Sequence, residues 1–376
     1  MSSFRLIAIL LGWLGGQSIT KQAVAKRMTS QCIEFVRSAL FAVLSNMSKF
    51  ESLRHSNIFD PFKRVLIQDS TIVRLPSHLA SHFPGPSNQN KKRGAALKIQ
   101  TVYDLLGETF AYFGLSGYTR TDQRASIDIL ATASQGDLVL RDLGYFSTTV
   151  FKQLAAQGVH FLSRLRQNVS IIDQQTLKTF NLLKILRRYG TFDQEILLGA
   201  EQRVKARLVA LPVPEDVANQ RRRKAKNNRD KRCNPSKNAL ELLGWNILVT
   251  TVPSCTWSAD MVQQAYGVRW RIEIIFKSWK SHFNLTHTPT GSANQVEVLI
   301  WARLLGICLF QTLFGSLELF GFKPISLLKF AQIFPWLLTL SVNALSRTGL
   351  NIEPVLKHLE LEKRKKHSQS ASKFLS

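Results

Sequence analysis

The chain has 376 residues and is 45% hydrophobic, enough for two or three domains with a sizeable core. Fifty Lys and Arg against 25 Asp and Glu leave a formal net charge of +25, which points to a polyanionic partner, either nucleic acid or an anionic membrane surface. Cys32, Cys233, Cys255 and Cys308 are scattered, with no C-x-x-C pair and no paired His, which argues against a disulfide scaffold and a structural zinc and reads as reduced cytosolic thiols.

The N-terminal stretch MSSFRLIAILLGWLGG has the outline of a short signal peptide, with Arg5, an apolar run and small residues. The cysteine usage and the charge of the remainder favour an ordinary N-terminal helix instead. Residues 1–55 read as helical throughout. Ser18 or Thr20 caps one helix, Thr29-Ser30 breaks it, and a second follows. This is either a helix-turn-helix or a plain helical hairpin. Lys21, Lys26, Arg27 and Arg37 make it a basic module in both cases.

Strands begin with RVLIQDSTIVRLP, where Val65, Ile67, Asp69, Thr71 and Val73 share one side. Asp69 therefore sits mid-strand on the more apolar face, a costly place for a carboxylate without a partner. SHFPGPSNQNKKRG is expected to be a loop with a basic end. ALKIQTVYDLL and ETFAYFGLSGY form a hairpin around Gly107, and TDQRASIDILATA a helix. In DLVLRDLGYFS, Leu138, Val139 and Leu140 make a short buried strand, and Asp142 ends it before a turn at Gly144. Function in α/β sheets gathers at such strand ends, although a strand-end Asp is also a common turn former. FKQLAAQG is a helix and VHFLSRLRQN a strand. Asp104 suits a hairpin or supporting position, and Asp137 a strand-entry turn.

Residues 168–250 carry short alternating runs that suggest a β-rich insertion, within which 221–232 reads as a mobile basic loop ordering on phosphates. Arg221, Arg222, Arg223 and Lys224 open that run. ALELLGWNILVTTV returns as a strand. Residues 304–317, LLGICLFQTLFGSL, are too short and too interrupted by Gln311 and Thr312 to span a bilayer, and read as a buried helix.

Between these, YGVRWRIEIIFKSWK places Tyr266, Arg269, Glu273 and Lys280 at offsets of three, four and seven. On one continuous helix that begins at a Ser258 cap they lie within an arc of about 60°. Met261, Ala265, Val268, Ile272, Ile275, Trp279 and Phe283 form a separate core stripe. Three carboxylates from separate elements, Asp69, Asp142 and Glu273, are what two-metal phosphoryl transfer needs: hard oxygen donors for Mg²⁺ or Mn²⁺, with the metals about 3.5–4 Å apart. Tyr266, Arg269 and Lys280 suit phosphate binding beside them.

The chain resembles bacterial insertion-sequence transposases of the DDE class, in the IS-four group. That group carries Y-x₂-R-x₃-E-x₆-K around its third acid, and the pattern is complete here as Tyr266, Arg269, Glu273 and Lys280. QDSTIVRLP resembles the first-acid strand and LRDLGYFS the second-acid segment, and the likeness extends over about residues 10–320. The resemblance implies a ribonuclease-H-like α/β core interrupted by the β-rich insertion, with helical N- and C-terminal regions. It implies a catalytic triad of Asp69, Asp142 and Glu273 holding two Mg²⁺, with Mn²⁺ able to substitute. It further implies cut-and-paste transposition, with terminal inverted repeats and target DNA as partners and a homodimer on paired ends. Some members of the group hold a flipped base on an aromatic ring. Trp270 or another Trp is a candidate for that role, while Trp279 and Trp301 suit the core.

On this reading, residues 1–55 bind DNA and 60–167 begin the core. Residues 168–250 are the insertion, 251–290 complete the core with the third acid, 291–350 form a helical region and 351–376 a basic tail. The location expected is bacterial cytoplasm, on the nucleoid, with no membrane. Two other readings stay open: a non-catalytic DNA-binding relative, and a ribonuclease-H-like nuclease without strand transfer.

Overall fold

The computed structural model describes residues 19–47, 58–87, 93–227, 234–285 and 291–319, with short pieces at 4, 7–8, 329–330 and 332–334. Most of the signal-like N-terminal run, Cys233, the second half of the basic run, most of residues 320–350 and the basic tail lie outside these residues.

In chain order the elements are α1 (Lys21–Arg27), α2 (Ser30–Met47), β1 (Val65–Leu75), β2 (Pro84–Ser87), β3 (Arg93–Asp104), β4 (Thr109–Gly117), β5 (Leu138–Arg141), α3 (Thr148–Ala156), β6 (His160–Arg164), β7 (Ile171–Asp173), α4 (Leu182–Tyr189), β8 (Phe192–Leu198), β9 (Val204–Pro212), α5 (Glu215–Lys226), α6 (Lys237–Leu242), β10 (Trp245–Thr250), α7 (Ala259–Gly267), α8 (Arg271–His282) and α9 (Ala293–Leu319). They divide into two compact units. One holds residues 1–57, 70–120 and 271–376, and the other 58–69 and 121–270.

In the first unit, Thr20 caps α1 by accepting from the Ala23 backbone N–H at 3.2 Å. Only Met28 and Thr29 separate α1 from α2. β3 and β4 form the expected hairpin, with Leu97 opposite Gly117 and Asp104 opposite Thr109. Asp104 works as a turn residue there, accepting from the Leu106 N–H at 3.1 Å. Phe110, Phe113 and Trp279 pack as a ring cluster, with centroids 4.8–5.9 Å apart. Arg271 reaches Glu108 in the hairpin turn at 3.2 Å, and so ties the start of α8 to β3–β4. Part of the expected 81–94 loop is strand, because Pro84–Ser87 pairs antiparallel with β3.

The apolar 304–317 run proves to be part of a 27-residue helix, α9. Residues 293–314 of it are long and apolar enough to cross a membrane by length and composition, so the expectation that the run is too short is corrected. Half of that stretch is nevertheless buried within the protein. Leu304, Ile307, Cys308 and Phe310 line its buried side, and the Trp301 ring lies tilted against Phe41 of α2, with centroids 6.4 Å apart. Trp279 and Trp301 are core residues, as expected.

In the second unit the strands run β1-β5-β6-β10-β9-β8-β7. β1, β5 and β6 are parallel. β10 pairs antiparallel with both β6 and β9, and β9–β8–β7 continue antiparallel. Val65, Leu66, Ile67 and Leu138, Val139, Leu140 are fully buried, as expected of strands covered on both faces. Asp137 ends the approach to β5, accepting from Arg64 at 2.6 Å and from the Ser134 N–H at 2.8 Å.

Two expectations change in this unit. The run 121–133 is one helical turn, Asp122–Ala125, followed by 3₁₀ helix over Ser126–Ala131. In 239–252, Ala239–Leu242 end a helix and the strand begins only at Trp245. Residues 168–250 thus mix strands with helices α4, α5 and α6 among the described residues.

Candidate active site

The last register steps of the parallel strands determine where the acids lie. Gln68 is opposite Arg141 across β1–β5, and Arg141 is opposite Ser163 across β5–β6. The three side chains of this row are buried. The residues that follow are Asp69, Asp142 and Arg164: Arg164 ends β6 and Asp142 lies just past the carboxyl end of β5, where α/β sheets assemble ligand sites, while β1 runs on beyond Asp69 to Leu75. Asp69 is still within β1. Asp142 has just left β5 in extended conformation and opens a 3₁₀ turn, Leu143–Tyr145, whose Tyr145 N–H returns to the Asp142 carbonyl at 3.0 Å. The Asp69 side chain is 20% exposed and that of Asp142 43%, so a ligand can reach both.

One guanidinium serves both carboxylates. Arg269 places Nη1 3.8 Å from Asp69 Oδ2 and Nε 3.8 Å from Asp142 Oδ1. These are ion-pair distances, longer than hydrogen bonds. Two carboxylates thus present oxygens to a common cation, and a compact divalent ion with hard oxygen ligands fits the same donor chemistry.

Beside them the Tyr266 ring has the Arg269 guanidinium at 5.9 Å and that of Arg164 at 5.8 Å. The Tyr266 hydroxyl donates to the Arg141 carbonyl at 3.4 Å. Burial pushes the Tyr266 phenol above its usual range, and the Asp142 charge adds to this, while Arg269 and Arg164 oppose it. Tyr266 therefore stays a neutral donor between two cations. The sequence reading missed Arg164. The signal that finds it is a basic residue ending the parallel strand next to the one that leads into Asp142.

The expected single helix through Tyr266 and Lys280 is corrected. α7 stops at Gly267, a 3₁₀ turn covers Val268–Trp270, and α8 starts at Arg271. The proposed arc therefore does not exist as one helical face. Ala265, Ile272, Ile275 and Trp279 of the core stripe are buried, but Met261, Val268 and Phe283 are only half-buried. The structure groups Asp69, Asp142, Tyr266 and Arg269 within the second unit. Glu273, in the first turn of α8, and Lys280, in its last, are both exposed and belong to the first unit. Among the described residues no three His, Cys, Asp or Glu side chains gather as a metal cluster. Trp270 is 44% exposed.

The basic run is a second correction. Arg221, Arg222, Arg223, Lys224 and Lys226 lie on α5 rather than in a loop. Arg221 donates to Asn246 Oδ1 at 2.8 Å. Burial and the like charge of Arg164 lower its pKa. Arg222 pairs with Glu215 at 2.7 Å and reaches the Leu240 carbonyl at 3.3 Å. Both Arg221 and Arg222 therefore brace the helix. Arg223 and Lys224 are exposed and turn their charge to solvent.

Comparison with known proteins gives a family match over residues 60–309, to the family described as transposase DDE domain. The transposase for insertion sequence element IS231D of Bacillus thuringiensis subsp. finitimus is 30% identical over 315 residues, covering 78% of this chain and 65% of that protein. The transposase for IS231C of Bacillus thuringiensis subsp. berliner is 28% identical over 312 residues, with the same coverage. The transposase for IS1151 of Clostridium perfringens is 24% identical over 317 residues. The chain spans a little under two-thirds of the length of the first two relatives.

Proposed function

The chain belongs to the transposase DDE domain family, and on that premise we propose that it is a metal-dependent DNA transposase of a bacterial insertion sequence. It cuts phosphodiester bonds at the inverted-repeat ends and joins the freed 3′-hydroxyls to target DNA. It works on the nucleoid in the cytoplasm, as a homodimer on paired ends.

The observation that carries this reading is the pair of carboxylates that follow the last β1–β5 register pair, Asp69 and Asp142, presenting oxygens to one cationic group at 3.8 Å each. Two divalent ions would be held by Asp69, Asp142 and Glu273, with Mg²⁺ the natural ion and Mn²⁺ substituting. Bound there, they supply activation of an attacking oxygen and stabilisation of a leaving one. The parallel β1-β5-β6 run and the β3–β4 hairpin, which neighbours β1 in the first unit, support a ribonuclease-H-like core.

The remaining roles belong to the chain itself. Arg269 offers a planar fork to a phosphate and balances the two acids when no metal is bound. Tyr266 donates one hydrogen bond as a neutral phenol. Arg164 adds a second fixed charge across the Tyr266 ring. Lys280 contributes a point charge to the DNA backbone. Arg223 and Lys224 supply sequence-independent phosphate contacts that release counterions.

A target-joining assay tests the reading. Labelled duplex ending in the element's own terminal repeat, a plasmid target and Mg²⁺ should yield joined products. Nicks alone would make the protein a nuclease without strand transfer, and binding without nicks a DNA-binding relative.

A further inference from the structure

The residues one register step behind the two carboxylates are tied together beneath them. Gln68 and Arg141 are 1% and 0% exposed. Arg141 Nη2 donates to Gln68 Oε1 and to the Ser126 carbonyl, the latter at 2.6 Å. Gln68 Nε2 donates to the Ala125 carbonyl at 2.9 Å. Ser126 Oγ donates to the Tyr145 carbonyl at 3.0 Å, and Tyr145 closes the turn that Asp142 opens. The network therefore joins the residue before Asp69, the residue before Asp142 and the turn after Asp142.

This arrangement is expensive as packing alone. The Arg141 guanidinium is paired with neutral acceptors, its Nε and Nη1 atoms have no hydrogen-bond partner, and it lies 5.8 and 5.9 Å from the Tyr145 and Phe151 rings. Burial lowers its pKa to about 9. An apolar pair of similar volume would fill the space without desolvating a charge. The link does something an apolar pair does not: it fixes the two strands laterally at the last row of the β1–β5 pairing. Asp142 has already left its strand, so its distance from Asp69 depends on that row.

We propose that Gln68 and Arg141 are positioning residues whose buried link sets the spacing of the Asp69 and Asp142 carboxylates, and through it their affinity for a divalent cation. The inference rests on Asp69 and Asp142 being metal ligands. Neither residue touches substrate or metal.

The test is Mn²⁺ binding by the full chain, followed by electron paramagnetic resonance of the free ion, with thermal melting in parallel. Wild type, Asp69→Asn, Arg141→Met, Arg141→Lys, Gln68→Met and the Gln68→Met/Arg141→Met double variant are compared. The wild type should bind Mn²⁺ and Asp69→Asn should lose it. Arg141→Met and the double variant should bind about tenfold or more weakly, with melting temperatures unchanged or higher. Arg141→Lys keeps a donor for Gln68 and should recover part of the affinity.

Wild-type affinity in the folded Met variants would overturn the positioning role while leaving the metal reading intact. No Asp69-dependent binding in the wild type would overturn both. If Arg141→Met fails to fold, Gln68→Met breaks the same link without touching the charge and decides the matter. Failure of every variant to fold would make the link structural and overturn the proposal.

Discussion

Asp69 and Asp142 each face the guanidinium of Arg269 with one carboxylate oxygen at 3.8 Å. They directly follow Gln68 and Arg141, the last register partners of the parallel strands β1 and β5. Two like charges are tolerable there because a third group of opposite sign is shared between them.

Arg269 should therefore be needed for chemistry more than for folding. Arg269→Ala is expected to slow single-turnover cleavage of end DNA by about 10²-fold or more. Arg269→Lys should also be slow, because the charge stays but the two-pronged geometry is lost. Circular dichroism should be unchanged in both variants.

Tyr266 gives a prediction in pH. Burial raises its pKa, so the folded protein holds the phenol proton to higher pH than the unfolded chain does. The stability this contributes is fully present below the unfolded pKa of about 10. It is lost as pH rises from there through the folded value. Tyrosinate absorbance should show one tyrosine titrating late in the wild type and missing in Tyr266→Phe. Asp142→Asn should shift that titration downwards, since the Asp142 charge helps to hold the proton.

Arg164 sits over the Tyr266 ring at 5.8 Å on the strand beside the second acid. Arg164→Gln should weaken binding to end DNA and lower the slope of log K against log salt by about one. An unchanged slope would show that Arg164 serves only to hold the ring.

On α5 the basic residues should separate into two behaviours. Arg223→Gln with Lys224→Gln removes two solvent-facing charges and should reduce the salt slope by about two with little change in melting. Arg221→Gln and Arg222→Gln break contacts to Asn246 and Glu215 and should lower the melting temperature. The Arg222 effect should be small, because Glu215 is 73% exposed.

Much of this was legible from residue order. The alternation of RVLIQDSTIVRL placed Asp69 mid-strand, and the apolar triplet before Asp142 placed it at a strand end. The hairpin around Gly107 followed from its two flanking β-rich runs. Helical spacing misled at Val268–Trp270, where a 3₁₀ turn resets the phase between Arg269 and Glu273. The apolar and polar positions keep a helical spacing across that turn, so periodicity alone gives no sign of it. The charge run at 221–226 read as loop because its composition is that of a solvated segment. Its helix is held by Pro214 ahead of an acidic first turn and by contacts to Trp245 and Asn246, which are distant in sequence. Arg164 and the Gln68–Arg141 link were invisible because they depend on which strands are neighbours.

The most direct measurement is Mg²⁺-dependent cleavage of a labelled duplex carrying the element's own terminal repeat, comparing the wild type with Asp69→Ala, Asp142→Ala and Glu273→Gln. Cuts at the element boundary should require the metal and vanish in all three variants, while binding to the duplex persists. Cleavage that survives Glu273→Gln would contradict the assignment of the third acid. Cleavage that survives Asp69→Ala or Asp142→Ala would contradict the site as a whole.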